Sequence, residues 1–492
     1  MVTARGQGVT GWIRDRTNRP LMLAALLTGL LLTLVSGRYG WERDELYFAM
    51  LKPAWGYVDQ PPLVPLMAHV LSSVVDAVWF VRIPATLAAM TTVIIVALVC
   101  RELGGSDRAT AWTAWLTAGT SAVLGFGHVL LTNVFDLATW SLICLLVIRA
   151  ELRSRPRLWL AAGVVAGLST YAKWLVVWLL VGILVGLVVA GPRERLRSRP
   201  VLVGGVAAVV LSAPNWIYQL THDLPQLRMG AALSANNAGE VRWFMWVLIL
   251  VILGPVLVPV WGLGAAGLWR RAQWRNVRFL LPATVFVVLA TFAAGAQPTY
   301  PTPMLLILLA AGMASRGDRI VGRGWVRVLL VVNAAVALVV SLPLLPVAIV
   351  GRTPIPAMNA TVADQIGWPA YVSDVEAAVA TLDPSERHTT VVLASNYGEA
   401  GALTRRGQDL PPIYSGHNSL GEFPPPPETA TTVVVVGGQA RIASRWFTTC
   451  TVVGHLDNRV DVDTEEQGDP IAVCRGLTRP WTVLWPLIEH LD

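Results

Sequence analysis

Four carboxylates, Glu42, Asp44, Glu45 and Asp59, crowd into residues 41–63, a stretch bounded on both sides by strongly apolar segments. A carboxylate within hydrogen-bond reach of a hydroxyl can take its proton without a cofactor, which makes Asp44 a candidate general base and Glu45 a candidate orienting group. The plainer alternative is that both residues cap and solvate an interfacial helix over 44–51, whose amino end favours negative charge. Asp59 stands before Pro61 and Pro62, which hold the chain extended and fix the direction of its carboxylate. It reads equally well as a helix N-cap. Only Lys52 and Lys173 are lysines among the 38 basic residues. Lys173 lies in an apolar hairpin, where an ionisable side chain is paired or functional, or snorkels to the interface. Asp136 falls early in an apolar segment, with Asn133 at the spacing of a cap, so a first-turn acid and a site residue are both open. His128, His222 and the other histidines show no metal-ligand spacing, and no metal is expected.

The elements that must position these groups are membrane spans. The chain has 492 residues, 54% hydrophobic and 14% charged, against about 25% charged in a soluble protein, and its mean hydropathy is +0.56. The net charge of +7 comes from arginines in short clusters between apolar runs, the pattern of topology determinants rather than of a nucleic-acid surface. The first apolar run, 21–35, follows Arg5, Arg14, Arg16 and Arg19 and has no small-residue cleavage site, so it reads as a retained span with residues 1–19 in the cytoplasm.

If every later arginine cluster is cytoplasmic, each pair of clusters encloses an even number of spans. That parity gives about eleven transmembrane helices at roughly 20 residues per crossing. Outer turns are expected at 125–128, at 169–174 with Lys173, in a loop carrying His222, Asp223, Arg228 and Glu240, and at 297–301. The multi-span domain covers 20–352, with a first outer loop at 38–62. Residues 353–492 turn polar, with β-branched runs at 389–393, 431–436 and 471–473 and a helical window at 372–382, which predicts a small extracytoplasmic α/β domain. Cys450 and Cys474 are a plausible disulfide there, whereas Cys100 and Cys144 fall in apolar runs. The whole reads as a multi-pass plasma-membrane protein.

Several segments together resemble the family 39 glycosyltransferases of the GT-C class, relatives of protein O-mannosyltransferases and of the transferases that add aminoarabinose to lipid A. They are Arg43-Asp-Glu-Leu-Tyr-Phe48, Tyr57-Val-Asp-Gln-Pro-Pro-Leu63, Arg82-Ile-Pro84, Thr170-Tyr-Ala-Lys173, Pro214-Asn-Trp216 and Tyr397-Gly-Glu-Ala-Gly401. Gln60 stands where many relatives have lysine or histidine. The resemblance implies an inverting sugar transfer from a polyprenyl-phosphate donor to an extracytoplasmic glycan, lipid or protein, with no nucleotide, cofactor or metal.

On that resemblance Asp44 is the expected base, with Glu45 and Asp59 as further catalytic carboxylates. Lys173, Arg82 and Tyr171 are the expected contacts to the donor phosphate or lipid, because a fixed cation stabilises the charge that grows on a departing phosphate. Tyr57, Gln60, Asp136 and Tyr300 are weaker substrate-binding candidates. A membrane transporter or lipid flippase is the alternative function, sharing spans and intramembrane charge, but the internal repeat common in transporters is missing.

Overall fold

The computed structural model describes residues 15–492. Most of the expected cytoplasmic segment 1–19, with Arg5 and Arg14, lies outside the described residues. The chain forms two compact units. One gathers residues up to Val35, Arg82–Tyr218 and Asn237–Leu342; the other gathers Ser36–Val81, Gln219–Asn236 and Pro343–Asp492. The linear division at 352 thus gives way to one in which residues 36–81 fold with the carboxyl-terminal part, because their helix packs on elements of that part.

The first unit is helical. Ile83–Glu102, Thr132–Leu152, Arg199–Thr221 and Gly324–Ser341 are long and apolar enough to cross a membrane, and the bent pair Val241–Val251 and Pro255–Arg270 makes a fifth if taken as one span. The shorter apolar helices Arg19–Val35, Leu158–Ser169, Val176–Ala190 and Leu280–Ala294 complete the apolar set in this unit. At 1.5 Å per residue each is shorter than a hydrocarbon core of about 30 Å, so the expected count of about eleven full-length spans is met only in part.

The 73° bend has a local cause. Gly254 takes a φ of +97°, and a Cβ there would overlap the Asn333 amide, whose Nδ2 donates to the Leu253 carbonyl at 3.3 Å. Helices Val258–Arg270 and Thr302–Gly322 cross through Gly264 and Gly312, where a Cβ on either would run into the other helix's backbone; small residues permit such close approach in membranes. Basic clusters also hold internal partners. Buried Glu102 pairs with Arg149 at 2.7 Å and Arg153 at 2.6 Å, and buried Glu151 with Arg195 at 3.1 Å.

Two expected turns are displaced. Residues 125–128 lie inside helix Ser121–His128, which Thr120 starts by accepting from the Val123 N–H, and the real turn spans 129–131. The expected loop through Arg228 and Glu240 is mostly helix Pro225–Val251; only 222–224 stay outside it, with Asp223 and Leu224 at positive φ. The break at 169–174 falls as read: helix Leu158–Ser169 ends there and Val176–Ala190 follows.

The second unit holds a five-stranded sheet, β1 Thr390–Ala394, β2 Ile413–Tyr414, β3 Thr432–Val436, β4 Phe447–His455 and β5 Pro470–Leu477, in the order β2-β1-β3-β5-β4. β1 runs parallel to β2 and β3; β5 is antiparallel to both β3 and β4. β1 and β3 are wholly buried, which is why they show as continuous β-branched runs. β4 is an exposed edge strand and β2 only two residues long, so neither stands out in the sequence. Cys450 and Cys474 are bonded across the β4–β5 register. Trp481, Leu484, Trp485 and Ile488, on one face of helix Trp481–Ile488, join the core over β1, β3 and β5.

Candidate active site

The acidic stretch becomes helix Arg43–Met50, and its N-cap is Glu42. The Glu42 carboxylate accepts from the N–H groups of Asp44 at 2.8 Å and Glu45 at 3.3 Å, while the Glu45 carboxylate accepts from the Glu42 N–H at 2.9 Å. This reciprocal capping box satisfies donors that the first helical turn leaves open. Two of the carboxylates therefore hold the backbone. Glu45 is fully buried in that role, whereas Asp44 stays partly exposed. Burial pushes Glu42 well above the usual carboxylate range, and like charge on Asp44, Asp364 and Glu45 adds to the rise.

Asp44 Oδ1 accepts a hydrogen bond from the Tyr397 hydroxyl at 2.9 Å. Tyr397 opens helix Tyr397–Arg406, which a second capping box starts, formed by Asn396 and Glu399. The two helices meet closely at Gly401, where a Cβ would overlap Leu46. Arg43 lies over the Tyr397 ring at 5.0 Å and pairs with Glu465 and Glu466. Nearby Asp364 is pushed up to about 7 by burial, against the opposing pull of Arg43.

Asp59 does not cap a helix: the following helix, Leu63–Val74, has Pro62 at its N-cap and no side-chain cap. Its Oδ1 instead accepts from the Tyr47 hydroxyl at 3.1 Å and the Ser419 hydroxyl at 3.5 Å, and Gln60 Nε2 donates to Oδ2 at 3.3 Å. Burial, the dominant cause, pushes Asp59 up to about 7. Tyr57 is buried and donates its hydroxyl to the Lys52 carbonyl at 2.7 Å. Because Tyr47 stacks on Tyr397 at 4.6 Å, Asp44 and Asp59 belong to one assembly, each bonded to one ring of a stacked pair.

The raised Asp59 value carries a stability consequence. An unfolded Asp titrates near 3.9, so its stabilising contribution is full below about pH 4 and is lost as pH rises towards 7. Asp59→Asn is expected to flatten that loss, read as a smaller drop in melting temperature between pH 4 and 8 than the native protein shows. An identical drop would place the titration elsewhere.

In the first unit a separate cluster forms around Lys173. Its ammonium donates to Asn133 Oδ1, stands 4.0 Å from Asp136 Oδ2 and lies 4.8 Å from the centre of the Tyr300 ring. Asn133 is no cap, since helix Thr132–Leu152 has Leu131 at its N-cap and no side-chain cap; it turns to the lysine instead. Buried Arg82 meets His128 Nε2 at 3.2 Å. Tyr171 donates its hydroxyl to the Leu211 carbonyl at 3.0 Å, tying the hairpin turn to helix Arg199–Thr221. Of the residues singled out in this unit, the fold thus joins Lys173, Asp136 and Tyr300, and gives Arg82 and Tyr171 other partners. Among the described residues no group of three or more His, Cys, Asp or Glu is placed to hold a metal ion.

Arg43, Tyr47, Tyr397 and Ser419 have no role assigned from sequence, and Asn133 only that of a cap. Arg43, Tyr47 and Tyr397 lie inside the recognised segments, which was the available signal; Ser419 had none.

The sequence profile described as dolichyl-phosphate-mannose-protein mannosyltransferase matches residues 59–218. No curated protein matches the chain in sequence. Among solved structures, ArnT from Cupriavidus metallidurans bound to undecaprenyl phosphate is 14% identical, with a TM-score of 0.54 over 95% of this chain and 98% of that one. Its apo state, also 14% identical, has a TM-score of 0.55 over the same shares. An Archaeoglobus fulgidus oligosaccharyltransferase tethered with an acceptor peptide is 12% identical, with a TM-score of 0.46 over 82% of this chain and 64% of that one. The chain thus shares the ArnT fold along nearly its whole length, and its residues 59–218 match the mannosyltransferase profile.

Proposed function

We propose that the protein is an inverting glycosyltransferase that moves a sugar from a polyprenyl-phosphate donor to an extracytoplasmic hydroxyl of a glycan, lipid or protein. The acceptor oxygen attacks the anomeric carbon, the bond from that carbon to the phosphate oxygen breaks, and polyprenyl phosphate leaves with the electron pair. Asp44 takes the acceptor proton. Lys173 is the assigned contact for the donor phosphate, where a fixed cation lowers the cost of charge on the leaving group. In this reading the protein lies in the plasma membrane, with its amino terminus cytoplasmic and residues 353–492 outside.

The observation that carries the proposal is the division of labour at helix Arg43–Met50. Glu42 and Glu45 are used by the backbone, while Asp44 is oriented by a hydroxyl and stays partly exposed, as a base that must meet a substrate requires. The ArnT complex with undecaprenyl phosphate supports the choice of donor class.

The test is to reconstitute the purified protein in lipid nanodiscs with synthetic polyprenyl-phosphate sugars and cell-envelope acceptor fractions, and to follow acceptor mass. Gain of one sugar residue, with the opposite anomeric configuration by NMR, is expected. Failure of every mannosyl, arabinosyl and aminoarabinosyl donor, together with movement of the intact lipid across a bilayer, would replace this proposal with a flippase.

A further inference from the structure

We infer that Tyr397, more than 350 positions from Asp44 in the chain, is a positioning residue that aims the Asp44 carboxylate at the acceptor hydroxyl. The assignment rests on Asp44 being the base.

Tyr397 is immobilised from several directions at once. Its ring stacks on Tyr47 at 4.6 Å and meets the His417 ring at a tilt, 4.6 Å between centres, and His417 stacks in turn on His490 at 4.5 Å. The Arg43 guanidinium adds a cation–π contact at 5.0 Å. The Tyr397 backbone N–H donates to His417 Nδ1 at 3.3 Å, so the same histidine holds both the ring and the main chain. Tyr397 is the first residue of a helix started by its own capping box, and Gly401 keeps that helix against Leu46. A hydroxyl so mounted cannot swing away from Asp44 Oδ1 without breaking the ring stack.

The chemical effect follows from the direction of the bond. A carboxylate turns about its last side-chain torsion with little resistance, and a base that samples many orientations loses the advantage of pre-arranged geometry. Binding Oδ1 to a fixed donor stops that rotation. Because the hydroxyl donates, it also favours the ionised carboxylate, the form able to accept a proton. Neither effect requires Tyr397 to touch substrate.

The experiment compares kcat against pH for the native protein, Tyr397→Phe and a protein carrying 3-fluorotyrosine at position 397, all in nanodiscs with one polyprenyl-phosphate sugar. Phe keeps the ring stack and removes only the hydroxyl; it is expected to lower kcat about 10- to 100-fold, to leave the donor KM unchanged and to move the acid limb to higher pH. The fluorinated ring is a stronger donor and is expected to move that limb to lower pH. Loss of packing alone would not produce opposite shifts. If Asp44→Asn abolishes transfer while both position-397 proteins keep the native acid limb, the positioning role is overturned and the base assignment stands. If Asp44→Asn retains full turnover, the base assignment fails and the positioning role with it.

Discussion

Asp44→Asn is expected to lower kcat by about 10²- to 10⁴-fold, the usual scale for losing a positioned general base, with the protein still folded. The substitution is nearly isosteric, and the asparagine carbonyl oxygen can still accept from the Tyr397 hydroxyl that now binds Asp44 Oδ1. The helix start is spared because Glu42 and Glu45 form the capping box without using the Asp44 side chain. An amide cannot take the acceptor proton, so the loss should fall on kcat with little change in donor KM. Steady-state kinetics paired with a melting curve provide the check. Native turnover in a protein of native melting temperature would remove Asp44 from the chemistry. Glu45→Ala serves as contrast: the Glu45 carboxylate accepts from a backbone N–H, so its first effect should be on stability, on the scale of about 1 kcal/mol for a lost cap.

The second large effect is expected at Lys173. Removing a charged partner of a phosphate costs about 1.5–3 kcal/mol, so Lys173→Gln should weaken binding of a polyprenyl-phosphate sugar about 10- to 100-fold. Lys173 also faces Asp136 at 4.0 Å, and stripping the cation from a carboxylate within a span is itself destabilising. The double variant Lys173→Gln/Asp136→Asn separates the two roles. It restores a neutral pair, so recovery of folding without recovery of donor affinity is the expected outcome, measured by ligand-dependent thermal shift. Asp136→Asn alone should bind donor at least as tightly as the native protein, since an acid close to the ammonium competes with phosphate for it. Native affinity in the double variant would reduce the lysine to a counter-ion of Asp136.

Some of this organisation is legible in the chain because it is local. The break at 169–174 could be read because the segment is the polar interruption of an otherwise apolar hairpin. β1 and β3 showed because strands buried on both faces are written as runs of valine and threonine. The turn near 125–128 was misplaced because glycines there suggested a loop, whereas Gly125 and Gly127 are helical and Gly127 packs against Ala89 and Leu32. The segment through Arg228 and Glu240 reads as loop because it is polar, yet it extends helix Pro225–Val251.

The candidate site divides along the same line. Composition and arginine spacing were enough to show a multi-span protein, and residue type with position was enough to single out Asp44, Asp59 and Lys173, because hydropathy and the rarity of charge in apolar surroundings are properties of short segments. The division of roles among the carboxylates depended on folding. Glu45 went to the backbone through Glu42, Asp59 to Tyr47 and Ser419, Asp44 to Tyr397 and Lys173 to Asn133, Asp136 and Tyr300. Apart from the Glu42–Glu45 box and the nearby Tyr47–Asp59 bond, these partners are distant in the chain. A hydrogen bond is specified by approach and angle in space, which chain position alone does not encode, so the same residue types could have been sorted otherwise until the helices starting at Arg43 and Tyr397 packed together.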